Sequence, residues 1–270
     1  MTDAGWDRAS CISYPASVRK TALITGASSG IGLELAKQFA RGGWNLILVA
    51  RREPELRALA ASLQVETRVE IADLTDASER DALIERLRDV PIDCLVNNAG
   101  FADYGPFAQA DWPKNDAMIR LNIEALAHLT HAFLPGMVAR KRGRVLHVAS
   151  TAAFFPGPGM AVYYATKAFV LSFSEALSTE LEGSGVSVTC LCPGATKSEF
   201  QDRAGMNSSK LMESAMMSAE AVARAGYRAT VRGKRLVIPG TTNALLTLLP
   251  RVLSRHRVAQ IVRDVQAPKQ

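Results

Sequence analysis

Thr21-Ala22-Leu23-Ile24-Thr25-Gly26-Ala27-Ser28-Ser29-Gly30-Ile31-Gly32, followed directly by Leu33-Glu34-Leu35-Ala36-Lys37-Gln38-Phe39-Ala40, decides the fold. The first five residues are a short apolar, β-branched run that reads as a buried strand. The last eight carry apolar residues at helical spacing. Strand, glycine turn, helix is a phosphate-binding arrangement: glycines let the backbone turn tightly and approach a pyrophosphate, and the free N–H groups at the helix start receive its charge. The spacing here is G-x-x-x-G-x-G rather than G-x-G-x-x-G. Thr25, Gly26, Ser28, Ser29, Gly30, Ile31 and Gly32 are the candidate cradle.

Outward from that turn, a second apolar run from Trp44 to Ala50 ends where a nucleotide selector is expected. An acidic residue there would hold the ribose hydroxyls of NAD. The chain instead continues Arg51-Arg52. With no carboxylate to repel a 2′-phosphate and two guanidiniums to pair with it, NADP (as NADPH) is the expected cofactor.

Further along, Ser150 closes the strand-like run Arg144-Val145-Leu146-His147-Val148-Ala149, and Tyr163 and Lys167 lie four apart in a helical segment. That spacing puts phenol and ammonium on one helix face. A nearby cation favours phenolate and is expected to move Tyr163 from its ordinary pKa of about 10 toward working pH, as carbonyl reduction requires of a proton donor. Tyr164, about 100° around the helix, is expected to face elsewhere.

Thr25-Gly26-Ala27-Ser28-Ser29-Gly30-Ile31-Gly32, Asp73-Leu74, Asn97-Asn98-Ala99-Gly100, Asn122, Ser150, Tyr163-Tyr164-Ala165-Thr166-Lys167 and Pro193-Gly194-Ala195-Thr196 resemble, in order and spacing, the short-chain dehydrogenase/reductase family over roughly residues 19 to 240. The resemblance implies a catalytic set of Ser150, Tyr163, Lys167 and Asn122. Asn122 would be a helix asparagine whose backbone kink carries a water. It also implies that Asp73 and Leu74 meet the adenine, that Asn98, Ala99 and Gly100 flank the cofactor, and that Tyr163 and Lys167 touch its nicotinamide side. Pro193, Gly194 and Thr196 would hold the carboxamide and nicotinamide-side phosphate. Ser198 stands where many relatives have threonine.

The alternation of strand and helix patterns, with candidate strands near Thr21, Asn45, Arg68, Cys94, Arg144, Val186 and Arg235, implies an α/β fold: a single Rossmann-like, doubly wound parallel sheet of about seven strands with helices on both faces. Residues 1–18 read as a flexible extension, and 19–270 as a single dinucleotide-binding catalytic domain with variable C-terminal helices. The chain has 270 residues, 48% of them hydrophobic, enough for one large core. Helical stretches around 114–139 and 161–182 are the ones the family pairs between subunits, so a homodimer or homotetramer is implied.

Four cysteines do not suggest a disulfide framework. Cys190 and Cys192 share one expected strand and are read as pointing to opposite faces; buried, reduced thiols place the protein in the cytoplasm. His128 and His131 have no third ligand nearby and His147 and His256 are isolated, so no metal is expected. No signal-peptide pattern opens the chain, and no apolar run reaches the ~20 residues of a transmembrane segment.

The formal charge is +6, and from Arg203 onward twelve lysines and arginines face only Glu213, Glu220 and Asp264. No nucleic-acid partner is expected. Leu245 to Leu253 with Arg255, Arg257 and Arg263 is basic and amphipathic enough for peripheral membrane contact, or else closes over the substrate pocket. Phe101, Tyr104, Phe107, Phe154, Phe155, Met206, Leu211, Met212, Met216 and Met217 suggest an adaptable apolar pocket. The implied activity is NADP(H)-dependent hydride transfer to or from a small lipophilic carbonyl or alcohol, of 3-oxoacyl, steroid-like or broad-range carbonyl type. The alternative is an NADP-binding regulatory or membrane-associated protein with little turnover.

Overall fold

The computed structural model describes residues 19–197 and 216–266. The amino-terminal extension, Ser198, Met206, Leu211 and Met212 lie outside the described residues.

The sheet grows from the opening strand β1 (Thr21–Thr25). Helix α1 (Gly30–Arg41) returns the chain to β2 (Asn45–Ala50), and α2 (Glu53–Ser62) to β3 (Thr67–Ile71). After α3 (Ala77–Arg86) the chain crosses to the other side of β1 and lays down β4 (Cys94–Asn97), β5 (Gly143–Val148) and β6 (Val186–Leu191), with the short β9 (Leu236–Val237) at the edge. The order is β3-β2-β1-β4-β5-β6-β9, and every pairing is parallel. Winding reverses between β1 and β4, which opens a crevice at the carboxyl ends of those strands.

Alternate residues of each strand feed two separate cores. Ala22, Ile24, Leu46, Leu48 and Val96 meet Leu35 and Phe39 of α1 on one face. Leu23, Ile47, Val49 and Leu95 meet Leu83 of α3 and Leu129 and Phe133 of α5 (Leu126–Ala139) on the other. Burial on both faces explains why these strands are apolar throughout. Helix α1 is amphipathic, and Phe39 sits edge-on to Trp44 at 5.3 Å and to Tyr227 at 4.9 Å.

Cys190 and Cys192 do not face opposite ways: their sulfurs lie 3.7 Å apart. The side-chain repeat of a strand is two residues, so i and i+2 share a face. His147, on β5, is buried rather than isolated. Its Nε2 lies 3.1 Å from Thr130 Oγ1 and its Nδ1 2.9 Å from Ser174 Oγ. Burial pulls its pKa down to about 3, so it is a neutral core histidine.

Beyond β5 come α6 (Ala161–Glu180), a two-residue ribbon of β7 (Thr196–Lys197) with β8 (Met217–Ser218), and α7 (Ala219–Val231). Three short helices end the described chain: α8 (Thr241–Leu246), α9 (Leu249–Val252) and α10 (Arg255–Gln266). No described helix is long and apolar enough to cross a membrane.

Candidate active site

The glycine turn between β1 and α1 is held from the neighbouring strand. Asn98, just past β4, donates from Nδ2 to Thr25 O (2.9 Å) and Gly26 O (3.2 Å). Thr25 Oγ1 accepts from the N–H of Asn98 and Ala99 and donates to Val96 O. Thr25 is therefore a strap beneath the crevice rather than part of its lining. Gly26 and Gly30 take left-handed backbone angles (φ 65° and 56°), which glycine adopts freely.

The start of α1 suits a phosphate. Its first turn carries no acidic residue, and its N-cap Ser29 makes no side-chain cap bond. The first N–H groups and the helix dipole are thus left for an anion. Ser28, Ser29, Gly30 and Ile31 line the crevice here, so these residues fit the pyrophosphate of a dinucleotide.

At the far end of β2, Arg51 and Arg52 also line the crevice. The expectation that no carboxylate stands beside them needs correcting. Asp73, from the end of β3, accepts from Arg51 Nη1 at 3.2 Å and from Thr75 N and Oγ1. Arg52 donates to Ser28 Oγ at 3.3 Å and pairs with Glu55. Leu74 lies on the same wall.

At the other end stands the Ser-Tyr-Lys set. Ser150, at the end of β5, hydrogen-bonds the Tyr163 phenol, and its hydroxyl also meets Pro193 O and Ala152 N. Lys167 Nζ donates to Val148 O at 2.9 Å and lies 5.8 Å from the Tyr163 ring centroid. The lysine does not acidify this tyrosine. Burial raises the Tyr163 pKa, and only the Ser150 hydrogen bond opposes it. The ammonium is committed to a carbonyl, and desolvation of a phenolate outweighs the gain. Burial also pulls Lys167 down, to about 8, with the Cys190 and Cys192 sulfurs acting against that shift.

Asn122 sits behind the crevice, in a π-helical turn (Arg120–Ala125) joining α4 (Trp112–Ile119) to α5. Its side chain is fully engaged: Oδ1 accepts from Phe101 N, and Nδ2 donates to Phe101 O and Thr166 Oγ1. Gly100 packs so closely that an added Cβ would lie 2.9 Å from Asn122 Oδ1 and 3.5 Å from Lys167 Nζ.

Pro193, Gly194 and Thr196 complete the wall beyond β6, and Thr196 Oγ1 donates to Gly194 O. Asn243, at the start of α8, presses on that loop: a Cβ on Gly194 would stand 2.5 Å from its amide nitrogen. Sequence reading missed Asn243, because a lone asparagine has no motif around it.

One continuous cavity of about 770 Å³ joins these parts. All the expected site residues line it except Thr25 and Asn122, with Ala99 and Gly100 at its waist. Of the expected apolar lining, Phe101 and Phe155 are present. Phe154 instead packs near Leu126 and Val170, and Phe107 is 61% exposed. Tyr104, Met216 and Met217 are also off the lining; the Tyr104 hydroxyl donates to Gln266 O at 3.1 Å. The missing wall comes from α8, α9 and α10, through Leu246, Leu249, Ile261, Val262 and Val265. Tyr164 does reach the cavity, where its hydroxyl accepts from Gln266 Nε2. Among the described residues no cluster of histidine, cysteine or carboxylate could hold a metal.

The sequence model for the short chain dehydrogenase family matches residues 20–208. The chain belongs to this family.

Among relatives, a short chain dehydrogenase of Pseudocercospora fijiensis is 40% identical over 191 residues, 67% of this chain and 61% of that protein. The chain thus spans less than two thirds of that relative. A sulfoacetaldehyde reductase 2 of Chromohalobacter salexigens is 41% identical over 66% of this chain and 73% of that one. Among solved structures, a short-chain dehydrogenase from Sphingobium yanoikuyae in complex with NADPH is 37% identical, with a TM-score of 0.79 over 93% of this chain and 99% of that one.

Buried Lys167 costs this dehydrogenase stability. Its folded pKa of about 8 lies below its ordinary 10.5, so between those values the unfolded chain binds more protons. Stability from this group therefore rises with pH across that window, and the penalty is complete below about 8. Lys167→Met is expected to be more stable than wild type near neutrality, on the order of 2 kcal/mol once the lost hydrogen bond to Val148 is set against the gain. Denaturant unfolding at two pH values checks it: the gap must shrink toward pH 10.5.

Proposed function

We propose that this chain is an NADPH-dependent reductase of lipophilic ketones or aldehydes, acting in reverse on the corresponding secondary alcohols. The observation that carries this reading is the single cavity. Phosphate cradle, arginine pair, Ser-Tyr-Lys set and an apolar wall of Phe101, Phe155, Met160 and Leu249 all open into it.

When bound, the nicotinamide supplies the hydride. Ser150 donates a hydrogen bond that orients the substrate carbonyl, and Tyr163 gives its proton to the developing alkoxide. Burial suits that role, because it keeps the phenol protonated until transfer. Lys167, charged at neutrality, would hold the nicotinamide ribose. Asn122 returns the proton through water at the π turn, where an irregular helix frees backbone groups. Asp73 and Leu74 take the adenine, Asn98, Ala99 and Gly100 flank the cofactor, and Pro193, Gly194 and Thr196 hold its carboxamide end.

NADPH is favoured over NADH by Arg51 and Arg52. Arg51 is 68% exposed in its pair with Asp73, so exchanging that carboxylate for a 2′-phosphate costs little. Fluorescence titration tests this. Arg51→Ala with Arg52→Ala is expected to weaken NADPH binding about 100-fold, at charge-assisted hydrogen-bond strengths, and to leave NADH unchanged. Equal wild-type affinity for the two cofactors would overturn the selection.

The lipophilic substrate rests on the cavity wall. The family match ends at residue 208, before α8 to α10, which supply part of that wall. We also assign residues 19–270 to one dinucleotide-binding catalytic domain and infer a cytoplasmic homodimer or homotetramer. Reduced Cys94, Cys190 and Cys192 support the compartment, and exposed Val138 and Phe169 on α5 and α6 support the assembly.

A further inference from the structure

The outer rim of the cavity is apolar and its surroundings are basic. Eleven large apolar side chains are exposed among the described residues, and six of them belong to the stretch from α8 to α10. Leu246, Ile261 and Val265 are both exposed and part of the cavity lining. Leu245 (68% exposed) on α8, Leu248 (44%) on the turn after it and Val252 (79%) on α9 are exposed within eight consecutive residues. Scattered exposed leucines are ordinary, whereas a concentration at the mouth of a cavity marks a contact surface.

Arg251, Arg255 and Arg257 stand beside these residues and are exposed. Among the described residues none of the three has a carboxylate partner, in contrast to Arg263, which pairs with Asp264. Residues 241–257 contain no aspartate or glutamate at all.

We propose that this face docks on an anionic lipid surface, with Leu245, Leu248 and Val252 entering the headgroup boundary and the three arginines meeting lipid phosphates. Apolar residues flanked by arginines are the composition of an interfacial segment. With no described helix able to span a bilayer, the contact is peripheral. A second copy of the chain fits less well. A two-fold interface sets one patch against itself, which would oppose two arginine triplets with no acidic residue in the segment to answer them. Docking would hold the cavity mouth against the bilayer, so that a lipophilic substrate reaches Ser150 and Tyr163 without crossing water. The docking itself does not depend on the substrate reading, because it is measured without turnover.

The test is co-sedimentation of the full chain with vesicles of mixed phosphatidylglycerol and phosphatidylcholine, and with phosphatidylcholine alone. Two surface variants accompany it: Leu245→Ser with Val252→Ser, and Arg251→Gln with Arg255→Gln and Arg257→Gln. NADPH titration of each checks that the fold and cofactor site are intact. Wild type is expected to pellet with the anionic vesicles only. The arginine variant should bind about 100-fold more weakly, at roughly fivefold per arginine, and the apolar variant should also lose binding. Equal partition onto neutral vesicles, no pelleting, or binding unchanged in both variants would overturn the proposal. So would an oligomer that the apolar variant dissociates in light scattering without any vesicle binding, since that assigns the face to copies of the chain.

Discussion

Tyr163→Phe is expected to lower the turnover of carbonyl reduction by about three orders of magnitude while leaving NADPH affinity within about twofold. The phenol oxygen is the group lost, and the ring keeps its packing among Ala102, Met118, Ala152 and Met160. Removing a buried hydroxyl also relieves its desolvation, so the melting temperature should not fall. Ser150 retains its contacts with Pro193 O and Ala152 N, and the substrate-orienting donor therefore stays in place. Single-turnover kinetics with saturating NADPH separate the chemical step from binding. A variant that turned over at more than about a tenth of the wild-type rate, against the 10²-fold minimum for general acid catalysis, would remove Tyr163 from the mechanism.

Gly32→Ala is expected to destabilise the protein and abolish cofactor binding together. A Cβ at this position would lie 2.2 Å from Gly26 O and 2.4 Å from Asn98 Nδ2. Neither can retreat: the first is backbone in the turn, and the second is held by hydrogen bonds to Thr25 O and Gly26 O. Relief requires the start of α1 to move off the end of β4, which opens the phosphate cradle. Overpacking of this kind costs about 3 kcal/mol or more. The expected readings are a drop in thermal midpoint and loss of measurable NADPH binding. Gly43 is the control: an added Cβ there meets nothing within 4 Å. Its positive φ of 77° leaves only a backbone penalty, so Gly43→Ala should be the milder change and should spare cofactor binding. If Gly32→Ala bound NADPH as tightly as wild type, the turn would not be the phosphate site.

The sheet was legible because its strands are buried on both faces, which leaves unbroken apolar runs bounded by turn residues. Expected strand starts at Thr21, Asn45, Cys94 and Val186 coincide with those observed, and Arg68, Arg144 and Arg235 miss by one residue. The positions brought to the cavity were legible where a motif fixed them in sequence. What escaped depends on tertiary contact. Arg51 and Asp73 are 22 residues apart, and nothing local says that they pair. Phe155 and Phe107 look alike as aromatic residues near motifs, yet one lines the cavity and the other faces solvent. Ile261 and Val265 belong to a helix whose apolar spacing is visible, but whose target, some hundred residues back in sequence, is not. The acidity expected of Tyr163 failed for a related reason: spacing tells which groups are near, and only burial tells which charge state survives.

The helix that begins at Trp112 runs without interruption to Ala139, but its two ends serve different neighbours. Met118 joins Met160 and Tyr163, whereas Leu129, Phe133 and Met137 lie on the sheet. The π turn between them acts as a swivel inside one rod. A wide turn holds an extra residue, which rotates everything after it by about 100° relative to a regular helix. Chain length across Arg120–Ala125 therefore sets how the two ends of the rod are turned relative to each other. Deleting one residue would heal the helix into regular form and turn one end away from its partner, whatever side chains the stretch carries.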